Sequence, residues 1–407
     1  MTVTTAPSAL ALPAPYGSCP YDPPPGYTAA AARAPVSRTV LPDGTPCWLV
    51  TGHEEVRAVL TDARFSADAR TPGFPFLSSG QRQLATAQPS FIRMDDPEHA
   101  RLRRMVAKDF LARRVRETRP RIQEVVESAV DAMTADGRRS ADFVGDFALP
   151  VPSLVICLML GVPYEDHALF QSLSRTMLDN TTGPARASAA HRELMGYLAR
   201  LAELKRDTPG DDILSRLAAR PDLTPQETAS LGFMLLITGH ESTTNMAALS
   251  VLALLRSPGQ AARLRADPSL VPGAVEELLR YLTIIHLGLG RAATEDVTVG
   301  GAAIRAGDGV ICMLSTANRQ PELFASEEPG GACPAELDVT RDARRHLAFG
   351  HGAHQCLGHT LARVELQVIL ETVLRRLPGL RLAVPEDRLV FQRDTIVYGL
   401  RELPVAW

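Results

Sequence analysis

The chain has 407 residues, of which 45% are apolar, and this suits a globular protein with a large core. Its formal net charge of −3 gives no overall attraction to nucleic acid or to an acidic membrane surface, so neither is expected as a partner. Six scattered cysteines without paired spacing argue against a disulfide framework and favour a reducing compartment.

The N-terminal stretch, residues 1–35, is rich in Pro, Gly and Ala, and we expect an extended lead-in there. It lacks the basic segment of a signal peptide, and no uncharged apolar run in the chain reaches membrane-spanning length. We therefore expect a cytoplasmic protein without a membrane anchor. A short strand is predicted at Cys47–Thr51, after the turn formed by Asp43 and Gly44.

Helical patterns dominate the rest of the chain. Thr224, Pro225 and Glu227 predict a helix start, because Thr224 can cap, proline suits the first turn and Glu227 completes a capping box. This helix is predicted to continue to about Arg256. The other predicted elements are helices at Arg121–Ala135, Ser188–Leu204, Val271–Tyr281 and Leu357–Leu377, and strands at Val297–Val299 and Gly309–Met313. The pattern indicates a mainly α protein with small β-sheets, in one domain spanning residues 1–407.

Cys356 is the residue that carries most of the chemical information. It lies between glycines, two residues after His354, and a helix-forming stretch follows it. The free N–H groups and the dipole of a helix N-terminus favour a thiolate there, and the glycines let a planar ligand approach the backbone. One thiolate on a glycine-rich turn suggests haem iron with a cysteine axial ligand.

A zinc site is the alternative for this segment, because histidine and cysteine are zinc ligands. The pairs at short fixed spacing that structural zinc sites show, such as Cys-x-x-Cys, are missing from the sequence. The residues of this alternative are His346, His351, His354, Cys356 and His359.

The segment around Cys356 closely resembles the haem-binding signature of cytochromes P450. The matching residues are Phe349, Gly352, His354, Cys356 and Gly358. The resemblance covers nearly the whole chain and is closest to the actinomycete soluble P450s that oxidise polyketides, other secondary metabolites and xenobiotics. It implies the cytochrome P450 fold, a triangular prism with a long central helix over the haem. It also implies haem b as the cofactor, with Cys356 as the axial ligand of its iron.

Polar residues interrupt the apolar helix that begins at Thr224, which is costly unless they have a purpose. They resemble the family's oxygen-activating motif. The resemblance implies that Gly239 leaves room for dioxygen, that Glu241 relays protons and that the hydroxyl of Ser242 assists. Ser242 replaces the usual threonine, which keeps the hydroxyl but loses the methyl group that restricts its rotamers, and Thr243 could share the role.

The resemblance assigns further residues to the haem and to the loop before Cys356. The predicted partners of the haem propionates are His99, Arg103, Arg291 and His354. Glu277 and Arg280 share a helix face at i, i+3, and Arg341 is expected to join them as a structural brace.

The resemblance implies a monooxygenase that inserts one oxygen atom of O2 into a C–H or C=C bond of a large, mostly apolar natural product or xenobiotic. Electrons would come from ferredoxin and an NAD(P)H-dependent ferredoxin reductase, and the protein would be a monomer. A basic surface for the ferredoxin is expected from Arg104, Arg113, Arg344, Arg345 and Arg363. Residues 70–93 are among the segments expected to line the substrate pocket, together with Thr238, Ile285, His286 and Leu287.

Three alternatives remain at this point. Oxidative coupling and nitric oxide reduction would use the same scaffold, although Glu241 favours monooxygenation over nitric oxide reduction. A haem-binding sensor without turnover belongs to another class of protein, and a sensor has no need of a proton relay. The stretch 325–336 is longer than the corresponding loop of the family, and its function is not readable from the sequence.

Overall fold

The structure, a computed structural model, describes residues 10–87, 90–178, 183–325, 332–393 and 395–407. The chain folds as two compact units, each assembled from segments that are distant in sequence. Unit 1 comprises Met1–Arg103, Pro272–Leu357 and Asp394–Tyr398; unit 2 comprises Arg104–Val271, Gly358–Arg393 and Gly399–Trp407.

Unit 1 contains the largest sheet. Its strands are β1 (Leu10–Ala11), β2 (Val36–Val40), β3 (Pro46–Val50), β4 (Phe65–Ser66), β6 (Leu289–Ala293) and β9 (Gly309–Cys312), with the separate hairpin β7 (Val297–Val299) and β8 (Ala302–Ile304). The strand order is β1-β2-β3-β9-β6-β4. The central strands β3 and β9 run parallel, and their side chains Trp48, Val50 and Val310 enter a buried apolar cluster.

Unit 1 also contains helices, which precede and follow the strands along the chain. They are α1 (Pro25–Ala31), α2 (His53–Thr61), α3 (Ser79–Ala87), α4 (Glu98–Ala107), α12 (Val271–Leu282), α13 (Leu314–Ala317) and α14 (Pro321–Phe324), where α4 and α12 each have a terminal part in unit 2. The lead-in was predicted to be extended, but it contains the helix α1. Pro25 fixes the φ angle of the first helical turn, and the side chains of Tyr27 and Ala30 are buried.

Unit 2 is mainly helical. Its helices are α5 (Ala112–Thr134), α6 (Pro150–Leu160), α7 (His167–Leu178), α8 (Pro184–Asp207), α9 (Ile213–Ala218), α10 (Pro225–Arg256), α11 (Pro258–Ala266) and α15 (His359–Arg376). Its strands are β5 (Ser140–Asp142), β10 (Arg381–Leu382), β11 (Phe391–Gln392), β12 (Gly399–Leu400) and β13 (Pro404–Ala406). They pair as a three-stranded sheet, β10-β13-β5, and as the two-stranded β11-β12.

The long helix α10 confirms the prediction from its capping sequence. The Thr224 hydroxyl accepts a hydrogen bond from the Glu227 N–H at 3.2 Å, and the Glu227 carboxylate accepts one from the Thr224 N–H at 2.9 Å. Because its mostly apolar side chains pack against α6 and α8, α10 is buried along most of its length. Polar groups in the middle of this helix therefore lie in a largely apolar setting.

Most other predicted elements are confirmed near their predicted bounds, including β3, β7 and β9. The helix predicted to begin at Arg121 begins instead at Ala112, because α5 continues through Pro120. Within the part of the chain that the structure describes, no helix is long and apolar enough to cross a membrane.

Candidate active site

The loop that carries Cys356 turns back on itself through glycines in the left-handed region. Gly350 has a φ of 69° and Gly352 a φ of 73°. At Gly352 a Cβ atom would lie 2.4 Å from the carbonyl oxygen of Leu60, so no larger residue fits without moving the backbone. The Cys356 N–H donates to the Phe349 carbonyl at 2.9 Å and closes the turn. Cys356 itself is exposed, three residues before α15 begins.

The burial of the other cysteines separates them from Cys356. Cys47, Cys157 and Cys312 are buried, and burial raises the pKa of each thiol to about 12, so they remain protonated. All six cysteines lie in described residues and form no disulfide. Cys356 is the exposed cysteine that stands beside a group of cationic side chains.

That group brings together all four residues predicted to bind the propionates, within unit 1. The rings of His99 and His354 stack with their centroids 4.0 Å apart. Arg103 donates to the Gln355 carbonyl at 2.6 Å, next to Cys356. Arg291 is 7% exposed and donates to the Gly290 carbonyl at 2.8 Å. Neither arginine forms a salt bridge with a described carboxylate.

The two arginines of this group lack a paired carboxylate among the described residues, whereas Nδ1 of His99 contacts the Asp96 carboxylate at 3.1 Å. Burial, followed by the charges of Arg291, His99 and Arg103, lowers the pKa of His354 to about 3. Burial also lowers the pKa values of Arg103 and Arg291. The His99 Nε2 atom is buried without a hydrogen-bond partner among the described residues. Buried cations and an unsatisfied ring nitrogen fit two carboxylate groups, which is what the propionates of haem would supply.

The histidines of the zinc alternative have separate partners instead. His346 contacts the Glu276 carboxylate at 3.2 Å, and His351 accepts a hydrogen bond from Arg57 at 3.5 Å. His354 stacks on His99. Among the described residues no three His, Cys, Asp or Glu side chains gather as a metal site.

The structure joins Glu277, Arg280 and Arg341 in one buried network. The side chains of Glu277 and Arg280 are fully buried, and two hydrogen bonds of 2.6 and 2.8 Å connect them. Arg341 donates to the same carboxylate at 3.2 Å. Arg280 and Arg341 also donate to backbone carbonyls within residues 332–336. The network thus fixes the end of the unusual 325–336 loop, whose residues 326–331 lie outside the described residues.

A second contact from α12 fixes the segment immediately before the cysteine loop. Glu276 contacts Nε2 of His346, and Nδ1 of the same ring accepts the Ala348 N–H at 3.0 Å. The preceding N–H, that of Leu347, donates to the Asn318 side chain at 2.7 Å. These bonds hold the backbone that leads to Phe349.

In unit 2, the predicted oxygen-activating residues lie in the middle of α10. Ser242 is partly exposed and its hydroxyl donates to the Thr238 carbonyl at 3.0 Å. Thr243 is buried, and its hydroxyl donates to the Gly239 carbonyl at 3.2 Å. Because each hydroxyl hydrogen is directed to a helix carbonyl, each oxygen keeps its acceptor capacity.

Glu241 is the acid of this cluster. Burial raises the pKa of its carboxyl from 4.5 to about 7, so that near neutral pH it holds and releases a proton with similar ease. At Gly239 an added Cβ atom would lie 3.3 Å from the Ile156 side chain of α6, so its small size also serves helix packing. Neighbouring His240 is buried, which lowers its pKa.

The residues predicted to line the substrate pocket have different surroundings. Thr238 is exposed on α10, and Ile285 and Leu287 are partly buried in unit 1. His286 is 2% exposed, and its ring stacks on Tyr398 with centroids 4.2 Å apart. Aromatic packing surrounds the His286 ring, and its place in the substrate pocket stays a prediction.

Arg93 is a residue that the sequence argument missed. It lies at the end of a short 3-10 helix, Phe91–Arg93, and its Nη1 atom is buried without a described hydrogen-bond partner. The only signal in the sequence is an arginine between two apolar residues, Ile92 and Met94.

A single thiol on a glycine turn, with cations that lack carboxylate partners, is the donor set of a haem-thiolate protein. The family model named Cytochrome P450 matches residues 269–387. Cytochrome P450-SU2 of Streptomyces griseolus is 58% identical over 405 residues, 99% of this chain and 98% of that protein. Pentalenic acid synthase of Streptomyces avermitilis is 46% identical, covering 96% of each chain.

A solved structure shows the same similarity to cytochromes P450. Cytochrome P450 MoxA from Nonomuraea recticatena superposes with a TM-score of 0.91 at 46% identity, covering 98% of each chain. The chain belongs to the cytochrome P450 family. It is an oxidoreductase that binds haem b, as members of this family do, and the predicted fold is confirmed.

Proposed function

We propose that this chain inserts one oxygen atom of O2 into a C–H or C=C bond of a large, mostly apolar natural product or xenobiotic. Electrons come from a ferredoxin and an NAD(P)H-dependent ferredoxin reductase in the cytoplasm, and the working protein is a monomer. The observation that carries the proposal is the acid of α10. A buried carboxyl with a pKa of about 7, followed by a hydroxyl, suits proton delivery during turnover.

The side chains divide the work between them. Haem b supplies the oxygen-activating chemistry when it is bound. Cys356 would bind its iron, and His99, Arg103, Arg291 and His354 would bind its propionates. Glu241 holds a proton at its carboxyl, and Ser242 offers an acceptor oxygen within the same helical turn. A sensor without turnover has no use for this pair.

The names of relatives support the substrate class. One relative, 45% identical over 395 residues, is named vitamin D3 dihydroxylase of Streptomyces griseolus. A solved structure at 43% identity is described as a complex with filipin I, and its TM-score is 0.88. The relative named pentalenic acid synthase, described above, takes its name from a third molecule. We infer a substrate that is large and mostly apolar for this chain as well.

A natural-product library tests the proposal directly. The loaded protein is screened for molecules that shift the haem from low to high spin, and each hit is incubated with NAD(P)H, a surrogate ferredoxin and its reductase. We expect hits that are converted to products heavier by one oxygen atom. Spin shifts without any product would instead support a sensor.

The accessibility of the two hydroxyls predicts which one takes part in proton delivery. Ser242→Ala is expected to lower product per NAD(P)H about tenfold, with the lost electrons recovered as peroxide. Thr243→Ala is the matched control and should change coupling little, because its hydroxyl is buried. Ser242→Thr should raise coupling, since the added methyl group restricts the rotamer. Unchanged coupling in Ser242→Ala would refute the role of Ser242, and equal losses in the two alanine variants would show that Thr243 shares it.

The expected ferredoxin surface offers a neighbouring pair of arginines for comparison. Arg345 is exposed, and its nearest described carboxylate, that of Glu54, is 4.0 Å away. Arg344 is already paired with Asp342 at 2.7 Å. Arg345→Glu should slow reduction by ferredoxin several-fold at low salt and little at high salt. Stopped-flow reduction measures this rate, and a loss that does not depend on salt would contradict an electrostatic role.

A further inference from the structure

Arg93 is a partly buried cation that the proposed chemistry does not use. Its Nη1 atom is inaccessible and lacks a hydrogen-bond partner among the described residues. Burial lowers the pKa of its guanidinium, and no charged neighbour contributes to that shift. An arginine remains charged in proteins, so the guanidinium stays a partly desolvated cation.

The neighbours of Arg93 are aromatic. Its guanidinium carbon lies 6.0 Å from the centre of the Phe74 ring, which in turn contacts Phe76 at 5.1 Å. Phe91, two residues earlier, is 4% exposed. A charge removed from water in such surroundings is costly unless an anion pairs with it.

A haem propionate is the first anion to consider as a partner for Arg93, and the cationic group around His354 is where the propionates are expected to bind. Within that group His99 and His354 stack on each other, and Arg103 donates to the Gln355 carbonyl in the cysteine loop. Arg93 instead lies over the Phe74 ring. Phe91 of the same short helix lies 6.2 Å from His99, so Arg93 stands next to this group but has no described hydrogen bond to it. The four members of the group already provide donors for two propionates. Arg93 belongs to residues 70–93, a segment expected to line the substrate pocket.

We propose that Arg93 binds a carboxylate of the substrate, so that this enzyme prefers acidic hydrophobic molecules over neutral ones. Arginine suits this task because its planar group can form two parallel hydrogen bonds to one carboxylate. The acid would be bound at Arg93 while the apolar body meets Phe74 and its neighbours. This inference rests on the proposed function, because it assigns a substrate class to the same enzyme.

The test uses probes that bind whether or not the natural substrate is known. Imidazole coordinates haem iron and gives a spectral shift, so ω-(imidazol-1-yl)alkanoic acids of several chain lengths place a carboxylate at graded distances. Their methyl esters are the neutral partners. At one or more chain lengths the wild-type protein should bind the acid more tightly than its ester. Arg93→Gln should weaken binding of that acid about 10- to 100-fold and leave binding of the ester and of imidazole unchanged.

Two further variants sharpen the test. Arg64→Gln is the matched control, because Arg64 is exposed, lies outside the pocket segment and is paired with Asp62 at 2.6 Å. It should retain the preference for acids. Arg93→Lys should retain part of the preference, since it keeps the charge without the planar group.

The proposal is overturned if wild type prefers no acid at any length, or if Arg93→Gln keeps the preference. It is also overturned if Arg93→Gln loses haem faster than wild type, which would assign Arg93 to a propionate. Failure of the proposed function looks different, because acids would still bind through Arg93 while no library hit gained an oxygen atom during turnover.

Discussion

Replacing Glu241 with glutamine is expected to lower product formed per NAD(P)H by about 100-fold, the lower end of the range for loss of a positioned acid. Glutamine keeps the size of the side chain and cannot exchange a proton at neutral pH. Haem content and the reduced CO spectrum should match those of wild type, because Glu241 lies on α10 in unit 2 and binds no haem carboxylate in our account. Peroxide should replace product. Unchanged coupling in Glu241→Gln would contradict the proton relay.

The pH dependence follows from the pKa of about 7. Below that value Glu241 is mostly protonated and can donate, whereas above it the donor form declines. Coupling in wild type should therefore fall as pH rises through about 7. Glu241→Gln should show low coupling at every pH and lack this step. A step of the same position in both proteins would assign it to another group.

The same burial predicts an opposite effect on stability. A carboxyl whose pKa is raised from 4.5 to about 7 destabilises the fold as pH rises through that window, and the full penalty is present above it. At pH 8, Glu241→Gln should therefore raise the free energy of unfolding by about 2 kcal/mol, after allowance for partial exposure. Glu203→Gln, at an exposed position of α8, is the control. A residue that costs stability and is needed for turnover is characteristic of an active site.

The second large effect concerns the buried network of unit 1. Glu277→Gln is expected to lower the free energy of unfolding by about 3–5 kcal/mol, because it leaves Arg280 and Arg341 as buried cations without their carboxylate. Urea unfolding monitored by circular dichroism measures the change. Loss of this brace should also loosen residues 332–341, which depend on it for hydrogen bonds.

The exposed pair Asp342 and Arg344 provides the matched control for this network. Its side chains are 65% and 80% exposed, so water screens their attraction. Asp342→Asn should therefore unfold close to wild type. If Glu277→Gln unfolds like Asp342→Asn, the network is not the structural brace that the resemblance implies.

The sequence predicted the helix that carries the candidate site because local signals agreed there. The capping residues Thr224 and Glu227 determine where α10 begins, and an apolar sequence long enough to be buried carries it to Arg256. Helix α5 was predicted to begin too late because the helical pattern was assigned only after Pro120, although the structure continues through this residue. The helix in the lead-in was missed because its buried residues Tyr27 and Ala30 follow a proline-rich stretch.

Tertiary contacts explain what the sequence could not predict. Arg93 has no motif, and its interest comes only from burial and a missing partner. His286 looked like a polar group in an apolar pocket, and the stacking on Tyr398 depends on residues far apart in the chain. The partners of Glu276 and Gly239, which are His346 and Ile156, likewise come from distant segments.

The measurement that tests the central claim most directly is oxygen labelling during turnover. A library hit is converted by the loaded protein under 18O2 in ordinary water, and its product is weighed by mass spectrometry. We predict one 18O atom in each product molecule, and none when the label is supplied as water. Product that takes its oxygen from water, or electron consumption without oxygenated product for every hit, would contradict the assignment as a monooxygenase.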